Sequence, residues 1–171
     1  QEQFLRLIKS ISFLRFFLLM IIVYYLSSLK ILDFKYFFIS AAFFSLFISV
    51  DVIIQYIFGF NLIGMKWDIA EHARHFSSFF GDELISGGFI QNFSFFAIFY
   101  AAFLLKEKKN ISFLITVIII CVLGISILLS GNRMSLILFI LGLLLIFLFN
   151  DEFKKKIFFS LVALTIIFAL M

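Results

Sequence analysis

The sequence contains no proline and a single cysteine, and only 14% of its residues are charged. The absence of proline removes the commonest cause of kinks in helices. Because Cys121 has no second cysteine to pair with, a disulfide within the chain is excluded and redox chemistry is not indicated. A soluble domain has about a quarter of its residues charged, so the scarcity of charge argues against a water-soluble protein.

Hydrophobic residues are abundant instead, at 64% of the chain, and they include 29 phenylalanines. Such a chain would aggregate in water, so we expect the bilayer to be its solvent. A biased base composition explains the phenylalanines more simply than a special function does. The net charge of +4 does not indicate nucleic acid, because the lysines lie in short clusters between apolar runs.

The apolar runs predict an all-α, polytopic membrane protein with about six transmembrane helices, since isolated strands would leave backbone groups unpaired in lipid. The predicted spans are 13–29, 36–58, 85–105, 111–130, 134–149 and a sixth beginning at Ile157. This sixth run is shorter than the roughly 20 apolar residues that a span needs. We therefore interpret residues 1–171 as one transmembrane region of a larger protein, with a polar stretch at 59–84.

The two kinds of basic residue are distributed differently. Eight lysines fall in the connections 30–35, 106–110 and 151–156, which alternation of the spans places on one side, and the positive-inside rule makes that side cytoplasmic. Basic residues near the N-terminus argue for the opposite orientation. The four arginines fall on the outer side, where a planar guanidinium suits phosphate or carboxylate. The alternative is that Arg74 and Arg133 only snorkel at span ends.

Polar side chains inside the predicted spans reach similar depths. Asp51 and Gln55 are four residues apart and share one helical face. A carboxylate in a span costs on the order of 3 kcal/mol, so Asp51 needs a partner or a wet cavity. Gln91 and Asn92 approach from the same side, and we predict that these four residues line a cavity open to the outer face. The alternative is hydrogen bonding between helices alone. Small residues above them would allow close approach: Ser86, Gly87 and Gly88.

The polar stretch 59–84 contains both histidines. His72 and His75 are three residues apart, but no third ligand is identifiable and the zincin pattern is absent, so we predict neither a metal site nor a cofactor. Asp82 and Glu83 begin the third span, where acidic residues suit a helix N-terminus. Either one could also orient Arg74 or act as a base.

Three stretches of the sequence, which we call patches, follow one another along the chain: Asp51 to Gly64, Arg74 to Phe89, and Ser130 to Ser135. In order and spacing they resemble the O-antigen ligase and O-antigen polymerase superfamily of bacterial inner-membrane proteins, over most of residues 45–150. Two positions depart from that pattern. Ser78 stands where a glycine often follows the serine, and Asn132 stands where an acidic or serine residue often precedes the arginine.

The resemblance implies a GT-C-like helical fold, of which this chain would be a part, and a metal-independent glycosyltransferase. Such enzymes transfer a glycan from undecaprenyl diphosphate to an acceptor hydroxyl on the periplasmic side, as in lipopolysaccharide O-antigen biosynthesis. Arg74 and Arg133 match the arginines that bind the lipid diphosphate, and Glu83 or Asp82 could serve as the base. A large periplasmic loop with a histidine would follow Met171, so the site would be incomplete here. The expected partners are the lipid-linked glycan, the bilayer and other polysaccharide-assembly membrane proteins, without nucleic acid.

Two other classes of function remain open. In a transporter or flippase, Asp51 and Gln55 would line the substrate path. In a non-catalytic membrane subunit, the polar residues would only hold helices together. A transporter built from inverted repeats would show related halves, and no internal repeat is visible in the sequence.

Overall fold

The computed structural model describes residues 17–29, 34–66, 76–81, 83, 85–104 and 109–170. The α-helices are α1 Phe17–Ser28, α2 Phe34–Phe58, α3 Ser86–Leu104, α4 Lys109–Leu129, α5 Arg133–Phe149 and α6 Asp151–Leu170, with a 3₁₀ turn at Ser78–Phe80. The described residues contain no strand beyond an isolated bridge between Phe60 and Lys66. The all-α prediction is therefore confirmed for the part of the chain that the structure describes.

Two compact units divide the chain, at residues 1–37 and 38–171. The first unit contains α1, whose side chains are mostly exposed. The second unit contains most of α2 and all of α3 to α6, and it also contains the predicted site residues.

Two helices are long and apolar enough to cross a membrane, Phe34–Phe58 and the segment Asn110–Leu129 of α4. Two shorter apolar helices, Phe17–Ser28 and Arg133–Phe149, fall below that length. Two span-capable helices are weak support for a membrane protein, and the expectation of six spans stays a prediction.

The sixth helix begins earlier than predicted. It starts at Asp151 rather than Ile157, so the charged turn belongs to the helix and not to a loop. Asn150 explains this start: its N–H closes α5 on the carbonyl of Ile146, and its side chain accepts a hydrogen bond from the N–H of Glu152 at 3.1 Å. Asp151 and Glu152 then fall in the first turn, where negative charge complements the helix dipole.

Helices α3 to α6 pack closely because glycines lie at their crossings. A methyl group added to Gly142 of α5 would lie 2.2 Å from the Phe95 ring of α3, and one added to Gly124 of α4 would lie 2.8 Å from Leu164 of α6. Fully buried apolar side chains fill the core between these helices, among them Ile90, Ile98, Ile120, Leu123, Ile127, Phe139, Leu143 and Ile157.

Buried hydroxyl groups in the helices bond mostly to their own helix. Ser126 donates to the carbonyl of Leu123 at 2.9 Å, and Thr116 donates to that of Ser112 at 2.6 Å. Such bonds satisfy a hydroxyl locally. These side chains therefore serve as small packing residues and need no partner on a neighbouring helix.

Phenylalanines fill the space beside α2, which comes close to other helices at few points of its backbone. The rings of Phe38 and Phe96 lie 5.1 Å apart between α2 and α3. Phe47 of α2 stacks on Phe79 of the 3₁₀ turn at 5.3 Å, with the ring planes 5° apart. Part of the phenylalanine content thus has a structural role, whatever its origin in base composition.

Candidate functional site

The polar side chains of α2 bond to the segment that follows the helix. Asp51 is fully buried, and its Oδ1 accepts a hydrogen bond from the N–H of Leu62 at 2.8 Å. Its Oδ2 accepts from the hydroxyl of Ser78 at 2.5 Å. Each carboxyl oxygen of Asp51 therefore has a donor, as a buried polar group requires.

Gln55 and Asn61 complete this network. The Oε1 of Gln55 accepts from the N–H of Ser78 at 2.8 Å. The Nδ2 of Asn61 donates to the carbonyl of Ser78 at 3.0 Å, while its Oδ1 accepts from the N–H of Met65 at 2.8 Å. Gln55 is 2% exposed and Asn61 1% exposed, so these amides replace water for backbone groups that no helix satisfies.

Ser78 is the residue on which the network converges. Its hydroxyl, N–H and carbonyl each bond to a different side chain, those of Asp51, Gln55 and Asn61. Its φ is +58°, the left-handed region that glycine adopts more easily than serine. Sequence reasoning noted Ser78 only as a departure from a family pattern and assigned no role to Asn61. The signal that could have found Ser78 was the glycine expected at that position.

The segment 76–81 also connects to α3 and α4. The hydroxyl of Ser86, at the start of α3, donates to the carbonyl of Phe76 at 2.8 Å. The N–H of Phe76 donates to the carbonyl of Leu129, at the end of α4, at 3.4 Å. One segment thus joins the end of α2, the start of α3 and the end of α4. We call residues 59–66, 76–81 and 130–132, together with the helix residues Asp51, Gln55 and Gly87 that contact them, the loop end.

The α4–α5 turn packs directly on the start of α3. A Cβ atom added to Gly87 would lie 2.1 Å from the Oγ of Ser130 and 3.0 Å from the Cβ of Asn132. The close approach that sequence reasoning assigned to the small residues at 86–88 therefore occurs at Gly87. Gly88 is less crowded, with Ser135 at 3.8 Å as its nearest neighbour.

Arg133 begins α5 beside this contact and is exposed. Asn132 caps the helix, because its side chain accepts from the N–H of Ser135 at 3.2 Å. Among the described residues, no carboxylate forms an ion pair with Arg133. An exposed guanidinium at the positive end of a helix dipole is a favourable place for an anion.

The remaining predicted residues are not all brought together. Gln91 is half-buried, whereas Asn92 is exposed on α3. Glu83 is exposed, and its N–H donates to the carbonyl of Phe80 at 3.1 Å. Arg74 and Asp82 lie outside the described residues. The cavity proposed around Asp51, Gln55, Gln91 and Asn92 therefore stays a prediction.

An apolar cavity of about 260 Å³ lies between α4, α5 and α6. Its lining includes Gly124, Leu128, Leu136, Phe139, Leu164 and Thr165. The hydroxyl of Thr165 bonds to the carbonyl of Val162 within α6 at 2.8 Å, so the lining offers little to a polar ligand. None of the four residues predicted to line a cavity belongs to this one.

No three His, Cys, Asp or Glu side chains come together within the described ranges. Both histidines lie outside those ranges, so the expectation of a metal-free site stays a prediction. Four acidic residues are described: Asp51 is buried in α2, Glu83 is exposed near the start of α3, and Asp151 and Glu152 lie side by side in the first turn of α6.

The opposite end of the second unit carries lysines, and we call residues 109–112 and 150–156 the lysine end. Lys156 of α6 donates to the hydroxyl of Ser112 at 3.1 Å and lies 5.1 Å from the centre of the Phe153 ring. Burial lowers the pKa of Lys156, and the nearby charge of Glu152 partly opposes that shift. Exposed Asp151 pairs with Lys154 at 2.6 Å, and this hydrogen bond and charge lower the pKa of Asp151.

No protein-family model matches the sequence. No curated protein and no solved structure matches it either. The class of protein is therefore given by the fold alone: the described residues form an all-α chain in which two helices are long and apolar enough to cross a membrane.

Proposed function

We propose that this chain is part of a bacterial inner-membrane, multi-pass glycan polymerase or ligase. It would transfer an undecaprenyl-diphosphate-linked oligosaccharide to an acceptor hydroxyl at the periplasmic face, in O-antigen or other surface-polysaccharide synthesis. About six spans would hold it in the bilayer. Neither a metal nor a nucleotide sugar is required in this proposal, and other polysaccharide-assembly membrane proteins are its proposed partners.

The observation that carries the proposal is the contact between two of the three patches. The N–H of Phe76 bonds to the carbonyl of Leu129. Phe76 follows Arg74 by two residues along the chain, and Leu129 precedes Arg133 by four. Gly87, in the second patch, also lies against Ser130, in the third patch. These contacts support a shared anion site formed by the two arginines.

The chemistry of the reaction favours such a pair. Glycosyl transfer from a lipid diphosphate leaves negative charge on the departing diphosphate, and fixed cationic donors stabilise that charge strongly in a water-poor site. The acceptor hydroxyl needs a base. Glu83 is exposed next to the 3₁₀ turn, so it is open to an acceptor. Asp82 is the alternative base.

The conformation of Ser78 also agrees with the family resemblance. The resembling proteins often have glycine at this position, and here the backbone has a φ of +58°. Glycine adopts that conformation without strain, whereas serine needs stabilising contacts. The departure from the family pattern, serine in place of glycine, therefore falls at a position whose backbone conformation suits glycine.

A non-catalytic membrane subunit is the second candidate. The observation in its favour is that both carboxylate oxygens of Asp51 and the carbonyl oxygen of Gln55 bond to groups of the same chain. Such groups are engaged in structure rather than offered to a ligand. The same observation weighs against a transporter in which these two side chains line the path.

Exchange of the arginines for lysine tests the enzyme proposal. Arg74→Lys and Arg133→Lys keep the charge but lose the planar two-bond contact with a diphosphate. In cells that depend on the gene, both variants should reduce surface polysaccharide on gels while immunoblots show unchanged protein. Lys155→Arg, the reverse exchange at the exposed surface of the lysine end, is the control and should leave the polymer unaltered. Normal polymer from both arginine variants would reject the diphosphate site and favour the subunit.

A further inference from the structure

Ser78 has more hydrogen bonds to other side chains than a buried serine needs for packing. A buried serine elsewhere in the second unit, such as Ser126, bonds its hydroxyl to its own helix and leaves its backbone in the helical ladder. Ser78 instead uses three side chains from three positions of the chain and a left-handed backbone. Strained residues of this kind persist only where the surrounding structure fixes them, and they cluster at functional sites.

The backbone direction at Ser78 determines where the preceding residues lie. Phe76 is two residues upstream and bonds to both neighbouring helices, through Ser86 of α3 and Leu129 of α4. A right-handed conformation at Ser78 would redirect the chain at that point and could not keep both bonds in place. The carboxylate of Asp51 opposes this change, because it accepts a hydrogen bond from the Ser78 hydroxyl and so holds that side chain in its observed position.

We propose that Ser78 is a positioning residue, held by Asp51 and Gln55 so that Phe76 stays bonded to Leu129, at the end of α4 that leads into the turn before Arg133. Its consequence for a ligand rests on the proposed function: the ligand would be the diphosphate group of a lipid, and the positioned segment would form one side of its site. The positioning itself does not depend on that function. Asp51 acts on the loop in this proposal, not on substrate.

Amide hydrogen exchange of the full chain in lipid nanodiscs tests the positioning. Ser78→Ala removes the hydroxyl and keeps a disfavoured φ, and Asp51→Asn replaces one acceptor oxygen of the carboxyl group with an amide nitrogen. Both should raise the exchange rate of amides 76–81 by roughly tenfold, as expected for loss of a buried hydrogen bond. Ser78→Gly also loses the hydroxyl but relieves the backbone, so its exchange should rise less than that of Ser78→Ala. Ser126→Ala is the matched control and should leave these amides unchanged.

Exchange in α5 and α6 distinguishes positioning from a general loss of structure. The proposal requires those helices to keep their protection while amides 76–81 lose it. Unchanged amides in both Ser78→Ala and Asp51→Asn would overturn the proposal. Equal acceleration throughout the second unit would also overturn it, because the network would then be an ordinary stabilising element.

Binding of undecaprenyl diphosphate to the same nanodiscs, with inorganic diphosphate as competitor, tests the consequence for a ligand. Weaker binding by Ser78→Ala, partly restored in Ser78→Gly, would support the role in the site. Equal binding by wild type and all variants would overturn that role. If wild type binds neither probe while the exchange pattern is as expected, the proposed function fails and the positioning stands.

Discussion

The acidic side chains of the loop end and of the lysine end find their partners by different means, although Lys156 of the lysine end also bonds across the chain, to Ser112. At the loop end, Asp51 and Ser78 are 27 residues apart in the chain, and Gln55 and Ser78 are 23 apart. At the lysine end, Asp151 and Lys154 are one helical turn apart and exposed. The first arrangement exists only in the folded chain, whereas the second forms in any helix of that sequence.

This difference indicates which polar contacts contribute most to the stability of the fold. Surface pairs contribute little because water competes for both partners. Buried groups that bond across the chain are costly to disrupt, because the remaining partner is left without water or a substitute. We therefore expect substitutions at the loop end to have much larger effects than chemically matched substitutions at the lysine end.

The largest effect is expected for Asp51→Leu. This change leaves the Leu62 amide and the Ser78 hydroxyl without an acceptor and should lower the free energy of unfolding by about 2–4 kcal/mol. Denaturant titration in detergent micelles, followed by circular dichroism, measures it. Asp151→Leu is the matched variant and should change the same titration only slightly, because its pair with Lys154 is exposed. Equal losses from the two variants would remove the distinction between the two ends.

Gly87→Ala should have the next largest effect. Its new methyl group would meet the Ser130 hydroxyl and the Cβ of Asn132, and overpacking of this kind costs about 1–3 kcal/mol. Gly88→Ala, one residue further on, meets only ordinary contacts and should change the same titration little. Ser130→Ala added to Gly87→Ala should restore part of the loss, because the nearest clashing atom is then absent. A tolerated Gly87→Ala would show that the α4–α5 turn can shift.

Lys156 should give a smaller, pH-dependent effect. Because burial lowers its pKa from the ordinary 10.5, the unfolded chain binds this proton more tightly than the folded chain. Stability should therefore rise with pH between the lowered pKa and 10.5, by less than about 1 kcal/mol after solvent screening. Lys156→Met should abolish that rise in micelle unfolding curves recorded across the range. Ser112→Ala keeps the buried ammonium and should retain the rise, and a rise that persists in Lys156→Met would assign it to another group.

The smallest effect is expected from the pair of Asp151 and Lys154. Lys154 lowers the pKa of Asp151 below 3.8, so the stability that the pair adds is present above that value and is lost as the pH falls through the lowered pKa. The free energy of unfolding of Lys154→Gln should be slightly lower than that of wild type at neutral pH and should equal it in acid. A neutral-pH loss as large as that of Gly87→Ala would show that the lysine end contributes more than its exposure implies.

Most of the helical pattern could be predicted from the sequence because apolar runs without proline leave few other backbone structures. Positions of helix ends were less accurate. The prediction treated Asp151 to Lys156 as a loop because charge interrupts hydropathy, yet Asn150 and the two acidic residues after it start a helix there. Hydropathy indicates whether a segment lies in lipid or in water, whereas capping residues determine where its helix begins and ends.

The candidate site was predictable only in part. Asp51 and Gln55 were identified because their shared face and burial cost require partners, and the close approach at Gly87 was anticipated from side-chain size. Their actual partner, Ser78, carries no distinctive chemistry, and its positive φ is invisible in a list of residue types. The roles of Arg74, Arg133, Asp82 and Glu83 as site residues stay predictions.

The sequence by itself determined that this chain forms helices and that a few polar groups must be satisfied away from water, because composition and short-range spacing are enough to fix both. Only the tertiary structure decided that Asp51, Gln55 and Asn61 meet at one serine, and that Phe76 meets the end of α4. Those contacts depend on which segments, distant in sequence, pack against one another. Backbone groups outside a helix then bond to whichever side chain this packing brings within reach.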